Sequence, residues 1–214
     1  MASSPFASSP KTDWVLVTGQ PGCGKTTAVK ALVAALQEQN CSVRGFYTDE
    51  VLGAGGRTGF DVVTVPDRES GVLSRKGGAG PKCGRYAVDV DAFERLALPT
   101  LGDDDGDVVY VLDEIGRMEL KSEAFAARVE ALLKRGVKLV GAVTAPIYGH
   151  RVPFCDRVAA TPRAVAKVRG AFKIQFLLAQ RGAHALLNIS ANFEVNLTSG
   201  WLPHRRRRAS ASGS

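Results

Sequence analysis

Eight consecutive residues, Gly19-Gln20-Pro21-Gly22-Cys23-Gly24-Lys25-Thr26, satisfy the pattern G-x-x-x-x-G-K-[ST]. The glycines let a backbone wrap tightly, so that successive N–H groups converge on one anion. A helix starting behind them would add the partial positive charge of its N-terminus. Lys25 can reach the outer phosphates of a polyphosphate as a point charge, and the Thr26 hydroxyl can ligate Mg²⁺. Cys23 contributes its backbone N–H alone, and Thr27 completes a candidate nucleotide-binding stretch running from Gly19.

A second pair of residues supplies what such a cradle lacks. Asp113-Glu114 directly follows the apolar run Val108 to Leu112. A carboxylate at that place stands beside the metal of a phosphate loop, so Thr26 and Asp113 are the candidate Mg²⁺ ligands. The next carboxylate, Glu114, can accept a proton from an attacking water as general base. Glu114 and Lys25 are the candidate catalytic residues, and Asp113 and Glu114 join the nucleotide-contact set. Thr144 could bond the γ-phosphate or the water, or simply cap a strand. Arg57, Arg75 and Arg117 are each candidates for a transition-state cation, with solvated arginine as the default. Glu119 reads as an anchor for the turn after the strand, and His150 as a surface histidine. No Asn-Lys-x-Asp motif occurs, which excludes a guanine-reading small GTPase. Hydrolysis is the simplest reading, with nucleoside triphosphates, ATP and GTP among them, as substrates. The alternatives are a nucleoside or nucleotide kinase, and a nucleic-acid-binding protein that uses a triphosphate as a switch.

These groups need elements to hold them. Trp14 to Thr18 is a continuous apolar run, as in a strand buried on both faces, and it leads straight into the glycine turn. From Lys25 to about Gln39, Ala28, Leu32 and Leu36 recur at i, i+4 beside Val29 and Val33, which predicts a one-faced helix stopping near Asn40. Ser42 to Tyr47 predicts a second strand and hence a right-handed strand–helix–strand unit. Gly53, Gly55 and Gly56 predict a hairpin over Glu50 to Val65. Leu73 to Gly84, rich in glycine and lysine, reads as a mobile surface loop. Arg85 to Val90 reads as a short extended piece, and Asp91 to Leu98 as a short helix closed by Pro99. Val108 to Leu112 and Lys138 to Thr144 are further strands. Between them Ser122 is the N-cap of a helix that buries Phe125, Val129, Leu132 and Leu133 and ends at Gly136. The alternation gives an α/β fold of the P-loop NTPase kind, with a mostly parallel sheet, helices on both faces and a β-hairpin insertion. The acids then stand at the tip of a strand neighbouring the first.

The chain has 214 residues, a length suited to one domain. Its net charge of +7 sits wholly at one end. Residues 1 to 164 hold 20 basic and 20 acidic side chains, whereas residues 165 to 214 hold 8 basic ones against Glu194. Half of those 8 are Arg205 to Arg208, ordinarily a solvated run, so neither nucleic acid nor membrane is read as a partner. No apolar run approaches the roughly 18 residues a membrane helix needs. Cys23, Cys41, Cys83 and Cys155 lie far apart without zinc spacing, which fits a reducing compartment and a cytoplasmic protein, with an organelle as the lesser option. Residues 1–12 read as a disordered N-terminus, 13–162 as the P-loop domain, and 163–214 as an atypical, poorly ordered basic segment.

Four stretches together resemble the THEP1-type nucleoside-triphosphatase family: Gly19 to Thr26, Gly45-Phe46-Tyr47-Thr48-Asp49-Glu50-Val51, Gly59-Phe60-Asp61-Val62-Val63, and above all Asp113-Glu114-Ile115-Gly116-Arg117-Met118-Glu119-Leu120. The likeness runs from about Asp13 to Asp156. It implies a RecA-like fold and slow, Mg²⁺-dependent hydrolysis of several nucleoside triphosphates to the diphosphate and phosphate. After Pro162 the chain departs from the family's closing strand and Thr-x-x-Asn-Arg stretch.

Overall fold

The computed structural model describes residues 14–102, 107–146 and 150–160 in full, and the main chain of four later strands at 164–167, 173–178, 185–190 and 193–196. Residues 1–12 and Arg205 to Arg208, on which two of the sequence expectations fall, lie outside the described residues. The first strand, β1 (Trp14–Gly19), alternates strictly between two cores. Val15 and Val17 share one with Ala28, Val29, Leu32, Val33 and Leu36 of α1 (Lys25–Glu38). Trp14 and Leu16 share the other with Phe125, Val129, Leu132 and Leu133 of α3 (Glu123–Arg135). A strand with two apolar faces must be covered on both, and these helices cover it.

The remaining elements are β2 (Ser42–Gly53), β3 (Gly56–Val65), β4 (Ser70–Lys76), β5 (Lys82–Cys83), β6 (Tyr86–Val88), α2 (Val90–Ala97), β7 (Val108–Ile115), β8 (Lys138–Thr144), α4 (Pro153–Ala160) and β9 (Ala164–Lys167). They form one mixed sheet in the order β5-β6-β4-β3-β2-β7-β8-β1-β9. From β2 to β9 the neighbours run parallel, and from β2 to β5 antiparallel. Strands β10 (Lys173–Leu178), β11 (Ala185–Ser190) and β12 (Phe193–Asn196) make a separate antiparallel sheet. The second core is tied across elements by Phe46 of β2, Phe93 of α2 and Phe125 of α3. Their rings meet edge to face with centroids 5.4–5.7 Å apart, the geometry the ring quadrupoles favour.

Helix ends follow their sequence signals. Ser122 accepts a hydrogen bond from the Phe125 N–H at 2.9 Å, and Gly136 takes the left-handed conformation that closes α3. Asn40 does the same after α1, with φ of 59°.

β1 and β2 are parallel, with β7 and β8 between them. Three details of the sequence reading change. Leu73 to Gly84 is no loop throughout: β4 pairs with β3 and β6, and Leu73 and Ser74 are buried. β7 runs on through the two acids to Ile115, three residues past the predicted end. And α4, which sequence periodicity missed, buries Cys155 and Val158. The sheet also continues beyond residue 162, since β9 pairs with the free side of β1 in parallel, Val15 opposite Ala164 through Thr18 opposite Lys167.

Candidate active site

The parallel strands that carry the motif residues deliver them to the same end of the sheet. β1 ends in Gly19, β7 in Asp113 and Glu114, and β8 in Thr144. The acids are therefore not on the strand next to β1, and β8 stands between the two. That separation sets Thr144 midway between the glycine turn and the acids.

Gly22 and Gly24 adopt φ of 76° and 95°, values that side chains with a Cβ rarely take. Gly24 is also the residue from which α1 begins. Lys25 is only 9% exposed. Its ammonium donates to the Gly19 carbonyl at 3.3 Å and pairs with Glu114 Oε2 at 3.2 Å. The other oxygen, Oε1, accepts from the Thr144 hydroxyl. Glu114 is thus held at both oxygens, by a lysine from the phosphate loop and by a hydroxyl from the intervening strand. Gly116 packs beneath this pair so closely that a Cβ there would lie 2.7 Å from both Glu114 Oε1 and Thr144 Oγ1. The Asp113–Glu114 peptide is cis.

Asp113 is fully buried, and no hydrogen bond of ordinary geometry reaches either oxygen among the described residues, although the Thr26 hydroxyl and the Thr48 backbone stand near it. Burial pushes its carboxyl up to about 7; the Thr26 hydroxyl and Lys25 pull it down, and Glu114 adds to the rise. A buried carboxylate without partners is costly, and a cation is the partner that relieves the cost. The donor set fits Mg²⁺, which takes one or two protein oxygens and completes its shell with water and phosphate. Among the described residues no three His, Cys, Asp or Glu side chains form a metal-holding group by themselves.

The cleft around these residues has a volume of about 610 Å³. Its lining joins the phosphate loop and the start of α1, through Lys25, Thr26 and Lys30, with Glu114 and Thr144 at the ends of β7 and β8. β2, β3 and the turn after β7 complete it, through Thr48, Asp49, Glu50, Arg57, Phe60 and Arg117. Gln20 reaches across instead, its amide donating to the Pro146 carbonyl at 3.1 Å. Cys23 packs against the α1 core.

The secondary candidates separate. Arg75 is held by Asp61 at 2.6 Å and by two backbone carbonyls, away from the cleft lining. Glu119 lines the cleft yet is buried, and burial, with Glu114 and Asp113 nearby, lifts its carboxyl well above the usual range. His150 is exposed, and its backbone carbonyl accepts from Arg117 at 2.7 Å. Sequence reasoning missed Lys30 and Asp49, which pair across the cleft wall. Their only signal was position, Lys30 inside the predicted first helix and Asp49 inside the stretch Gly45 to Val51.

Comparison with known proteins agrees with this geometry. The NTPase family profile matches residues 14–168. Over 144 residues the chain is 43% identical to the cancer-related nucleoside-triphosphatase homolog of Mus musculus, covering 62% of this chain and 75% of that protein. Among solved structures, the crystal structure of THEP1 from Aquifex aeolicus is similar with a TM-score of 0.61 at 30% identity, over 74% of this chain and 90% of that one. The solution structure of a human cancer-related nucleoside triphosphatase gives a TM-score of 0.59 at 35% identity, over 75% and 88%.

Proposed function

The chain belongs to the NTPase family, and from that premise we propose that it is a hydrolase converting nucleoside triphosphates and water to diphosphates and phosphate. The observation that carries this reading is the doubly held Glu114, bound by Lys25 at one oxygen and Thr144 at the other, beside a fully buried and unpartnered Asp113.

The arriving triphosphate competes for Lys25. Its β- and γ-oxygens take the ammonium and the loop N–H groups, and Glu114 Oε2 is released. Thr144 keeps its hold on Oε1, so the freed oxygen stays aimed into the cleft. There it orients a water and takes its proton as the water oxygen bonds to the γ-phosphorus and the bond to the β-bridging oxygen breaks. Thr26 and Asp113 would hold Mg²⁺, which when bound offsets the phosphate charge. The same proposal takes several bases as substrates, since Lys25, Thr26 and Glu114 all act at the phosphate end of the nucleotide. It also sets the reaction in a reducing compartment such as the cytoplasm, a reading supported by the free, widely spaced cysteines. Among the described residues no helix is long and apolar enough to cross a membrane.

The test is phosphate release from ATP, GTP, CTP and UTP with Mg²⁺, with and without candidate nucleoside and nucleotide acceptors. Free phosphate formed equally without acceptor supports hydrolysis. Phosphorylated acceptor in place of free phosphate would replace the reading with a kinase.

A further inference from the structure

Four cationic side chains line the cleft, and three of them already have a carboxylate: Lys25 with Glu114 at 3.2 Å, Lys30 with Asp49, and Arg57 with Glu50 at 2.7 Å. Arg117 is the fourth, and among the described residues it makes no ion pair. One of its Nη groups donates to the His150 carbonyl at 2.7 Å. Its Nε is buried and has no partner. An N–H of a guanidinium taken out of water without an acceptor is costly, so the site holds an unmet demand for an oxygen anion.

Position says which anion. Arg117 follows Gly116, whose Cα lies against the Glu114 carboxylate and the Thr144 hydroxyl. The guanidinium is therefore carried on the turn adjoining the base, and it lines the same cleft as the phosphate loop. Its anchor is a neutral carbonyl from a different segment, which fixes the group without cancelling its charge. Arg75, by contrast, spends its charge on Asp61, and Arg57 on Glu50.

We infer that Arg117 is a further catalytic residue, supplying from within the same chain the positive charge that stabilises the γ-phosphoryl group as it transfers to water. This rests on the hydrolase reading above. Lys25 meets the ground-state phosphates from the loop; Arg117, on the turn after β7, meets the charge that builds on the equatorial oxygens during transfer. Cations placed so contribute about 10³–10⁵ in rate when they are true arginine fingers, and single preorganised donors about 10²–10³.

The experiment uses the full chain and the variants Arg117→Ala and Arg117→Lys. It measures Mg²⁺-dependent phosphate release, affinity for a nucleoside diphosphate, thermal midpoint, and capture of diphosphate with aluminium fluoride, which mimics the transferring phosphoryl group. The expected result for Arg117→Ala is a fall of at least 10²-fold in kcat and loss of aluminium fluoride capture, with diphosphate affinity and thermal midpoint within error of the parent. Arg117→Lys should recover part of both losses. An Arg117→Ala protein with parental kcat, or one that loses diphosphate affinity and thermal midpoint together with rate, overturns the assignment. If the parent itself releases no phosphate, the hydrolase reading falls and this one with it; a parent that hydrolyses beside an unimpaired variant sinks only the role of Arg117.

Discussion

Glu114 and Asp113 are neighbours in sequence with opposite environments, and the difference divides their labour. Glu114 is partly exposed and held at both oxygens, by the Lys25 ammonium and the Thr144 hydroxyl. Its substitution by glutamine keeps the hydrogen bond to Thr144 and removes proton acceptance. Single-turnover phosphate release from Glu114→Gln should slow by about 10²–10⁴, or roughly 2.7–5.4 kcal/mol in barrier, with triphosphate affinity nearly unchanged. Parental turnover would mean that another group takes the proton. Asp113 and Glu119 are buried carboxyls raised by desolvation, Asp113 to about 7. In the nucleotide-free protein the folded state therefore keeps protons that the unfolded chain releases from about pH 4 upward. Linkage makes stability fall as pH rises through that window, and the Asp113 penalty is complete above about 7. Thermal unfolding without nucleotide should give a lower midpoint at pH 8 than at pH 5.5. Glu119→Gln removes one of the two titrations, so its midpoint should change less between those pH values; a variant as pH-sensitive as the parent refutes a protonated Glu119.

At the scale of elements, the site depends on how tightly β7 is gripped. Gly45 of β2 sits opposite Val111 with φ of 139°, and a Cβ there would fall 1.9 Å from the Val111 carbonyl oxygen. Gly141 of β8 makes the same close approach to the Leu112 oxygen, at 2.2 Å. β7 thus runs between two glycine-lined walls that fix the height of the acids at its tip. Gly45→Ala should cost at least about 2 kcal/mol in denaturant unfolding, from backbone strain and overpacking together, and should lower kcat even where the protein is folded. Ser122→Ala offers the contrast. It removes the N-cap of α3 and the hydrogen bond to Glu94 at 2.6 Å, so stability should drop by about 1–2 kcal/mol while kcat at low temperature holds. Equal kcat losses in both would show that the grip on β7 is not specific. What the sequence made legible follows the same division. The phosphate loop, α1, the capped α3 and the β2–β3 hairpin were readable because contiguous residues encode them. β4 was not, since it reads Ser-Gly-Val-Leu-Ser-Arg-Lys with Leu73 its only buried apolar residue, and only pairing with β3 and β6 makes it a strand. The same holds at the site: Lys25, Thr26, Asp113 and Glu114 announce themselves by motif, whereas the contact of Thr144 with Glu114 and the bond from Arg117 to His150 exist only after β8 enters between β1 and β7.

Across the whole molecule, the strand that launches the phosphate loop stands one strand in from an edge of the sheet. β1 has β8 and the rest of the sheet on one side and, on the other, the four-residue β9. Residues from Gly19 to Ala145 complete the cleft, and the family match stops at residue 168, immediately past β9. The remaining strands form their own sheet, and most of the net positive charge lies there and beyond. Two shortened chains separate these contributions. One ending after residue 168 keeps β9 and every cleft residue, so it should release phosphate at the parental rate. One ending after residue 162 strips the ladder from β1 and leaves an unpaired edge. At about 1 kcal/mol for each of a few lost hydrogen bonds, its thermal midpoint should fall by roughly 5–15 °C, and the bare edge should make it aggregate. Equal midpoints for the two chains would mean that β9 adds nothing to β1. A folded 168-residue chain without activity would mean that the cleft needs a residue from the basic end.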